Sequence, residues 1–383
     1  SGASTGTYEA FEKRDNNNKR YLGKSVFSAV NLVNTKISNK LKGQSVHNQE
    51  RIDTILINLD GTRQKTNLGA NAMLAVSMAA KKLSAKVKKL PLYKTFTVKK
   101  NFQLPYPLMN IINGGAHANN GLRIQEFMIR PDKAKSFTEA MRVSFVVIKN
   151  LSKIIKDKGL STSVGDEGGF APMISSNNQA LDLIVLAIKR SGFKNGKDVS
   201  ICLDVAANQL FKSKKYSIHS KKFISADQTI NKYLKIINKY KIKSIEDPFA
   251  EDDWVAWQQF MLIAPEKLQV LGDDLLTTNL GRLNKAIADN CANAILIKPN
   301  QNGLVTSTLN VLRQARANNF KTVVSARSGE TEDSWLADLA TGWCAGQIKV
   351  GSTHGAERTA KWNRLLELEA TEVTEFARPF KEL

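Results

Sequence analysis

Short apolar runs recur through the second half of the chain, and each stops at a charged residue: SICLD at Asp204, KSIE at Glu246, QVLGD at Asp273, AILIK at Lys298 and TVVSAR at Arg327. The intervals are 42, 27, 25 and 29 residues. Each leaves room for a loop, a helix and the next strand, so the pattern predicts repeated βα units closing a parallel sheet or barrel. Helical spacing of apolar positions falls between and before these runs, at Phe137 to Lys156, Asn178 to Ser191, Thr229 to Lys239 and Val305 to Asn318. Upstream, Val26, Ala29, Val30, Val33 and Ile37 share one helical face, and Ala70 to Leu83 forms an alanine-rich apolar helix. The basic stretch from Lys86 to Gln103 leads into LPYPLMNIINGG, which reads as a linker and the first barrel strand. The expected fold class is therefore α/β, a (β/α)8-type barrel over residues 103–383 preceded by a smaller domain over residues 1–102.

Composition narrows the class without changing that picture. The 383 residues accommodate a barrel of about 250 residues and a second domain, and 42% hydrophobic content is ample for a core. No apolar stretch approaches the roughly 20 residues needed to span a bilayer, and the first residues lack the pattern of a signal peptide, so the cytoplasm is the expected location. The chain opens on SGASTGTYEAFEKRD without an initiator methionine, and a further upstream segment is expected. Cys202, Cys291 and Cys344 are odd in number and contain no CxxC pair, which argues against a disulfide framework or a zinc ribbon. The net charge of +21 would attract anionic substrates. Its lysines are scattered and lack interleaved aromatics, so the charge reads as a solvated surface rather than a specific nucleic-acid platform.

Charge at the strand ends carries the functional reading. In a barrel of this kind the active site is built at the carboxyl ends of the strands. There Asp204, Glu246 and Asp273 supply hard oxygen ligands for a divalent cation, and Lys298 stands beside them as a candidate base. One such acid alone would more simply cap a helix or pair with a lysine. Three at successive strand ends point to metal.

The segments SGASTG, NGGAHA, QEFMIRP, SVGDEGGFAP, SIEDPFAEDDW, LGDD, IKPNQ, SGETED and GQIKVGS, in this order along the chain, resemble the enolase family over essentially the whole length. The resemblance implies dehydration of 2-phosphoglycerate to phosphoenolpyruvate in glycolysis, with the reverse in gluconeogenesis. It also implies a barrel of ββαα(βα)6 topology capped by an α+β domain, and a homodimer or an octamer of dimers. Two Mg2+ ions are implied, the second dependent on substrate. Asp204, Glu246 and Asp273 then bind metal because the proton to be removed lies next to a carboxylate, and its loss would pile negative charge on one group. Lys298 takes that C2 proton, its pKa lowered by nearby cations, while Lys349 contacts the substrate carboxylate. Glu167, between the glycines of GDEGG, protonates the departing hydroxyl, and Asp166 orients a neighbour. Arg327 and Ser328 hold the phosphate. Ser4, in a glycine-rich lid, contributes to the second metal, and His117 corresponds to the family's active-site loop histidine, with Gln125 and Glu126 close by.

Three departures qualify the match. Ala326 stands where many members have a histidine, HGAER replaces an arginine-serine-glutamate-arginine segment and retains only Glu357 and Arg358 of it, and LGDDLLTTN lacks the usual residues after its acids. His47, His219 and His354 have no metal-binding spacing and receive no role. Two rival readings are a superfamily relative acting on another carboxylate, which has no need of Arg327 and Ser328 for a phosphate, and a non-catalytic binding protein, which has no need of Lys298 and Glu167.

Overall fold

The computed structural model describes residues 5–96 and 101–380. Eight strands close a barrel in sequence order: β1 Tyr106–Asn113, β2 Glu126–Arg130, β3 Ser200–Asp204, β4 Ile242–Glu246, β5 Gln269–Gly272, β6 Ala294–Ile297, β7 Lys321–Ser325 and β8 Gln347–Gly351. Both pairings of β2, with β1 and with β3, are antiparallel, and all the others are parallel. Residues 5–96 contribute α1 Gln49–Asp60 and α2 Ala70–Val87, with short helical turns around Phe27–Leu32, and no strand among the described residues. In the barrel, α3 Phe137–Asp157 and α4 Asn177–Arg190 follow the antiparallel pair. Six βα units come next, with α5 Ala226–Tyr240, α6 Trp254–Ile263, α7 Leu280–Ala288, α8 Val305–Ala317, α9 Trp335–Gly342 and α10 Ala356–Thr371. This is the ββαα(βα)6 order that the resemblance implied. No helix among the described residues is long and apolar enough to cross a membrane.

Local chemistry explains the element boundaries. In α5 the Ser225 side chain accepts from the Gln228 amide while the Gln228 side chain accepts from the Ser225 amide, a reciprocal cap. Ile230, Tyr233, Ile237 and Tyr240 recur on its buried face, and the helix stops at Lys241 in the left-handed region. The barrel interior is filled by Leu108, Met128, Cys202, Leu271, Leu296 and Val323, so the barrel is a packed core rather than a pore. Its amino-terminal floor is polar and internally satisfied, with Gln347 donating to Gln269 at 2.9 Å and Gln269 donating to Ser244 at 3.0 Å.

The antiparallel β2 has a consequence for chemistry. Because it runs against its neighbours, its first residue rather than its last lies at the carboxyl-end mouth, and the register places Glu126 beside Asp204 and Asp204 beside Glu246. Four of the strand-end charges expected from sequence stand at or just past their strands, with Asp273 and Lys298 each one residue beyond β5 and β6. Arg327 lies two residues beyond β7, whereas Lys349 is in the middle of β8.

A buried carboxylate makes one polar tie between the small helical region and the barrel. Asp53 on α1 is buried and accepts from Ser77 of α2 at 2.6 Å, from the Gln49 side chain at 3.0 Å and from the Thr306 amide at 2.8 Å. Ser77 accepts in turn from the Val305 amide at 3.1 Å. Helix α8 has no capping side chain of its own at Leu304. Asp53 and Ser77 therefore satisfy its first amides and oppose the positive end of its dipole from the other domain, and Leu304 packs into the small core of Ile52, Leu56, Ala72 and Met73. Replacing Asp53 with Ala strips these donors of their acceptor, and we expect a loss of about 2 kcal/mol in urea unfolding. An unchanged midpoint would show that the Asp53 contacts add nothing to the packing of the two regions.

Candidate active site

Lys349 occupies the centre of the mouth. Its Nζ lies 3.0 Å from Asp204, 2.9 Å from both oxygens of Glu246 and 3.1 Å from Glu126. All four side chains are buried, so these interactions are weakly screened and depend on one another. Burial disfavours the Lys349 ammonium, but the charges of Asp204, Glu126 and Glu246 outweigh it and push its pKa well above the ordinary value. Burial also raises Glu246 well above the carboxylate range, and the charge of Asp204 adds to the rise. For Glu126, burial is overcome by Lys349 and His117, which hold it at about 2.

A second ion pair stands beside the first. Lys298 contacts Asp273 directly, and Gln301 donates to the other Asp273 oxygen at 2.8 Å. Burial would lower the Lys298 pKa, yet Asp273 raises it above the ordinary lysine value, against the opposing charges of Arg327 and Lys349. A general base needs the opposite shift, so the contact with Asp273 must be relieved before Lys298 can accept a proton. Asp273 is positioned by a residue that sequence reasoning did not single out. Asp247, at a strained φ of +41°, accepts from the amides of Asp273 and Asp274 at 2.9 and 2.7 Å, and thereby ties the end of β4 to the end of β5.

Glu167 comes from the loop that follows α3. The loop rests on the barrel: the Gly169 amide donates to Asn113 at 3.0 Å, and the Phe170 amide donates to the Ile111 carbonyl at 2.9 Å. A Cβ at Gly169 would meet Asn110 at 2.0 Å, so only glycine permits this approach. Glu167 is buried, and burial, reinforced by the charge of Glu126, raises its pKa to about 8 despite Lys349, Arg358 and Lys298. It is a carboxyl group that keeps its proton at neutral pH. His117 is buried with Nδ1 3.8 Å from Glu126, and its carbonyl accepts from the Asp166 amide at 3.0 Å. Gln125 donates to Asp204 at 3.3 Å and accepts from Gln209 at 3.1 Å.

Arg327, also buried, is met by Glu9, with contacts of 2.9 and 3.3 Å. Glu9 further accepts from the Gly6 amide at 3.0 Å. The Thr7 amide donates to Glu251 at 3.0 Å and the Tyr8 hydroxyl to Asp252 at 2.8 Å, so the opening loop is held at the mouth by this acidic pair and by its own Glu9 on Arg327. Ser4 lies outside the described residues. Ser328 and Ala326 line the same pocket as Arg327, with His117, Gln125, Glu126, Glu167, Asp204, Asp273, Lys298 and Lys349. The free space among them is about 20 Å3, little more than one water requires, because the amines fill the gaps between the acids.

Among the described residues assigned from sequence to metal, substrate or catalysis, all but Glu246 line one pocket; Glu246 lies behind it and reaches it through Lys349. Glu9, Asp247, Gln301 and Arg358 were not assigned, although Glu9 lies just after SGASTG and Asp247 directly follows Glu246. The donor set is carboxylate oxygen, which suits a hard divalent cation. Asp204 and Glu246 share one amine, Asp273 faces another, and an incoming cation would supply the same compensation to all three. Among the described residues, the assigned Asp204, Glu246 and Asp273 are not drawn close enough to bring one ligand atom from each within 4.8 Å of the others, Lys349 standing between Asp204 and Glu246; two other groupings are, His117 with Glu126 and Glu167, and Asp247 with Asp273 and Asp274. The Asp247 oxygens are already taken by amides.

Comparison with known proteins agrees with this geometry. Residues 1–96 match the family described as "Enolase, N-terminal domain" and residues 101–378 match "Enolase, C-terminal TIM barrel domain". The chain is 70% identical to the enolase of Pelagibacter ubique (strain HTCC1062) over 369 residues, which covers 96% of this chain and 88% of that protein.

If Lys349 is the counter-charge on which the buried acids depend, Lys349→Met should lower stability by about 3–5 kcal/mol near neutral pH. Glu246, whose folded pKa is raised, gives stability at low pH that is lost as pH rises through that value, so the defect should shrink toward about pH 5. Equal losses at both pH values in chemical denaturation would refute the counter-charge role.

Proposed function

The chain belongs to the enolase family and is a hydro-lyase, a phosphopyruvate hydratase that dehydrates 2-phosphoglycerate to phosphoenolpyruvate; from that premise we propose that Lys298 is its general base and Glu167 its general acid. The observation that carries this division is a pocket holding an amine, a carboxyl group that stays protonated to about pH 8 and a buried guanidinium. Lys298 takes the C2 proton once Asp273 no longer holds it as an ammonium. Glu167 gives its proton to the departing C3 hydroxyl, which leaves as water. A donor with a pKa near the working pH is suited to that step, and elimination should fall as pH rises through about 8, when Glu167 loses its proton.

Arg327 and Ser328 bind the phosphate, the guanidinium offering two parallel donors. Glu9 occupies those donors beforehand and must yield or share them. Lys349 contacts the substrate carboxylate, with His117, Gln125 and Glu126 lining the same end of the pocket.

The enolase relationship implies a metal cofactor, which we assign as Mg2+ in two ions, the first held by Asp204, Glu246 and Asp273 and the second arriving with substrate near Ser4. When bound, the cation supplies positive charge to the substrate carboxylate as C2 loses its proton. The same charge would draw Asp273 away from Lys298, so these residues fit the group both as ligands and as regulators of the base. We further assign a dimer or octamer of dimers, a cytoplasmic location and a functional division of the chain at residues 102 and 103.

Two outcomes test the assignment. Asp204→Asn should abolish phosphoenolpyruvate formation with the fold intact, and chelation by EDTA should do the same to the unaltered protein; full turnover in either case would exclude the metal set. In deuterated water, Lys298→Ala should lose exchange of the C2 proton, whereas Glu167→Gln should keep exchange and lose roughly 10²–10⁴ in elimination. Equal loss of exchange in both variants would reverse or merge the two roles.

A further inference from the structure

His354 belongs to the HGAER segment that departs from the family pattern. The segment folds over the loop that carries Glu167. The Ser352 amide donates to the Glu167 carbonyl at 2.8 Å, and the buried Arg358 donates to the Asp166 carbonyl at 3.0 Å and to the His354 carbonyl at 2.7 Å. The His354 ring then adds a third tie, its Nδ1 lying 2.9 Å from the Gly168 carbonyl. That distance requires Nδ1 to carry a proton, since a carbonyl only accepts. The face of the turn is closed by Phe170, whose ring meets the imidazole edge to face with centroids 5.7 Å apart. Three consecutive carbonyls of the acid loop, those of Asp166, Glu167 and Gly168, are thus each held by this one segment.

The departure in sequence and the contact have one physical basis. Gly355 takes φ +90°, and a Cβ there would meet the Glu357 carboxylate at 2.3 Å. An arginine at this position would be strained and would displace Glu357, which pairs with Arg358. Glycine lets the chain turn tightly enough for His354 to face Gly168, itself at φ +77° with no room for a Cβ between the Arg358 guanidinium and the His354 carbonyl.

We propose that His354 is a positioning residue that latches the Gly168 carbonyl and so keeps the Glu167 carboxyl group seated over Gly351 in the buried pocket. A Cβ on Gly351 would lie 3.0 Å from Glu167 Oε2, so the carboxyl rests directly on the segment to which the latch belongs. The proposal rests on Glu167 being the general acid. Its signature is a defect in proton donation without a defect in proton removal, because Lys298 stands one residue beyond β6, outside this segment.

The experiment compares His354→Leu, His354→Asn and Glu167→Gln as full-length proteins, measuring phosphoenolpyruvate formation and C2 exchange in deuterated water side by side. Leucine keeps the packing on Phe170 but has no donor; asparagine restores a donor. We expect His354→Leu to lose about tenfold in elimination, a fraction of what a positioned acid contributes, with exchange unchanged, and His354→Asn to recover most of that loss. Should the leucine variant fail to fold, His354→Asp against His354→Asn gives the same comparison, a non-donor against a donor of equal size. Equal falls in exchange and elimination, or elimination untouched by losing the donor, would overturn the latch. If Glu167→Gln itself kept elimination, the acid assignment would fail first, and the latch with it.

Discussion

Like charges are crowded at one end of this barrel, and much of the site's architecture is a response to that crowding. Glu126, Asp204 and Glu246 come into register across three strands only because β2 runs backwards, and Asp273 follows one strand further on. Isolated buried carboxylates would be prohibitively costly. Lys349 is threaded among the first three, and Lys298 is set against the fourth. The same crowding leaves Glu167, which has no amine within pairing distance among the described residues, holding a proton at neutral pH. In the function we propose, one electrostatic arrangement accounts for the cation site, the amine that awaits release as a base and the neutral acid.

The scaffold keeps these charges from relaxing apart. Asp247 spends its carboxylate on two backbone amides and so fixes where Asp273 emerges. Asp53 reaches from the small helical region to cap α8, which begins a few residues after Lys298. Glu9 joins the opening loop to Arg327, the residue we assign to the phosphate, so a phosphate bound there would have to displace or share that carboxylate.

Much of this was legible in the sequence where an apolar run ended in a charge. Asp204, Glu246, Asp273, Lys298 and Arg327 could be placed at one rim because strand ends in a parallel barrel share a face. Lys349 was harder, since it lies inside its strand, and its place among three acids depends on register rather than on pattern. Glu126 sits at the start of a strand, where a parallel barrel would have put it on the opposite rim; only the reversed strand brings it to the mouth. Glu9, Asp53, Asp247 and Arg358 act on residues distant in the chain or through backbone atoms, and no periodicity marks such contacts. The raised pKa of Lys298 was also beyond sequence reasoning, which foresaw the field of nearby cations but not the Asp273 partner that opposes it.

The central claim is that the mouth is an over-full set of acids awaiting a divalent cation. Calorimetric titration of the protein with Mg2+, in two buffers of different ionisation enthalpy and at pH values on either side of neutral, tests it directly. Because cation and protons compete for the same oxygens, the account predicts proton release on binding, visible as a buffer-dependent heat, and weaker affinity as the pH falls. Heat independent of buffer, with affinity unchanged by acidification, would contradict it.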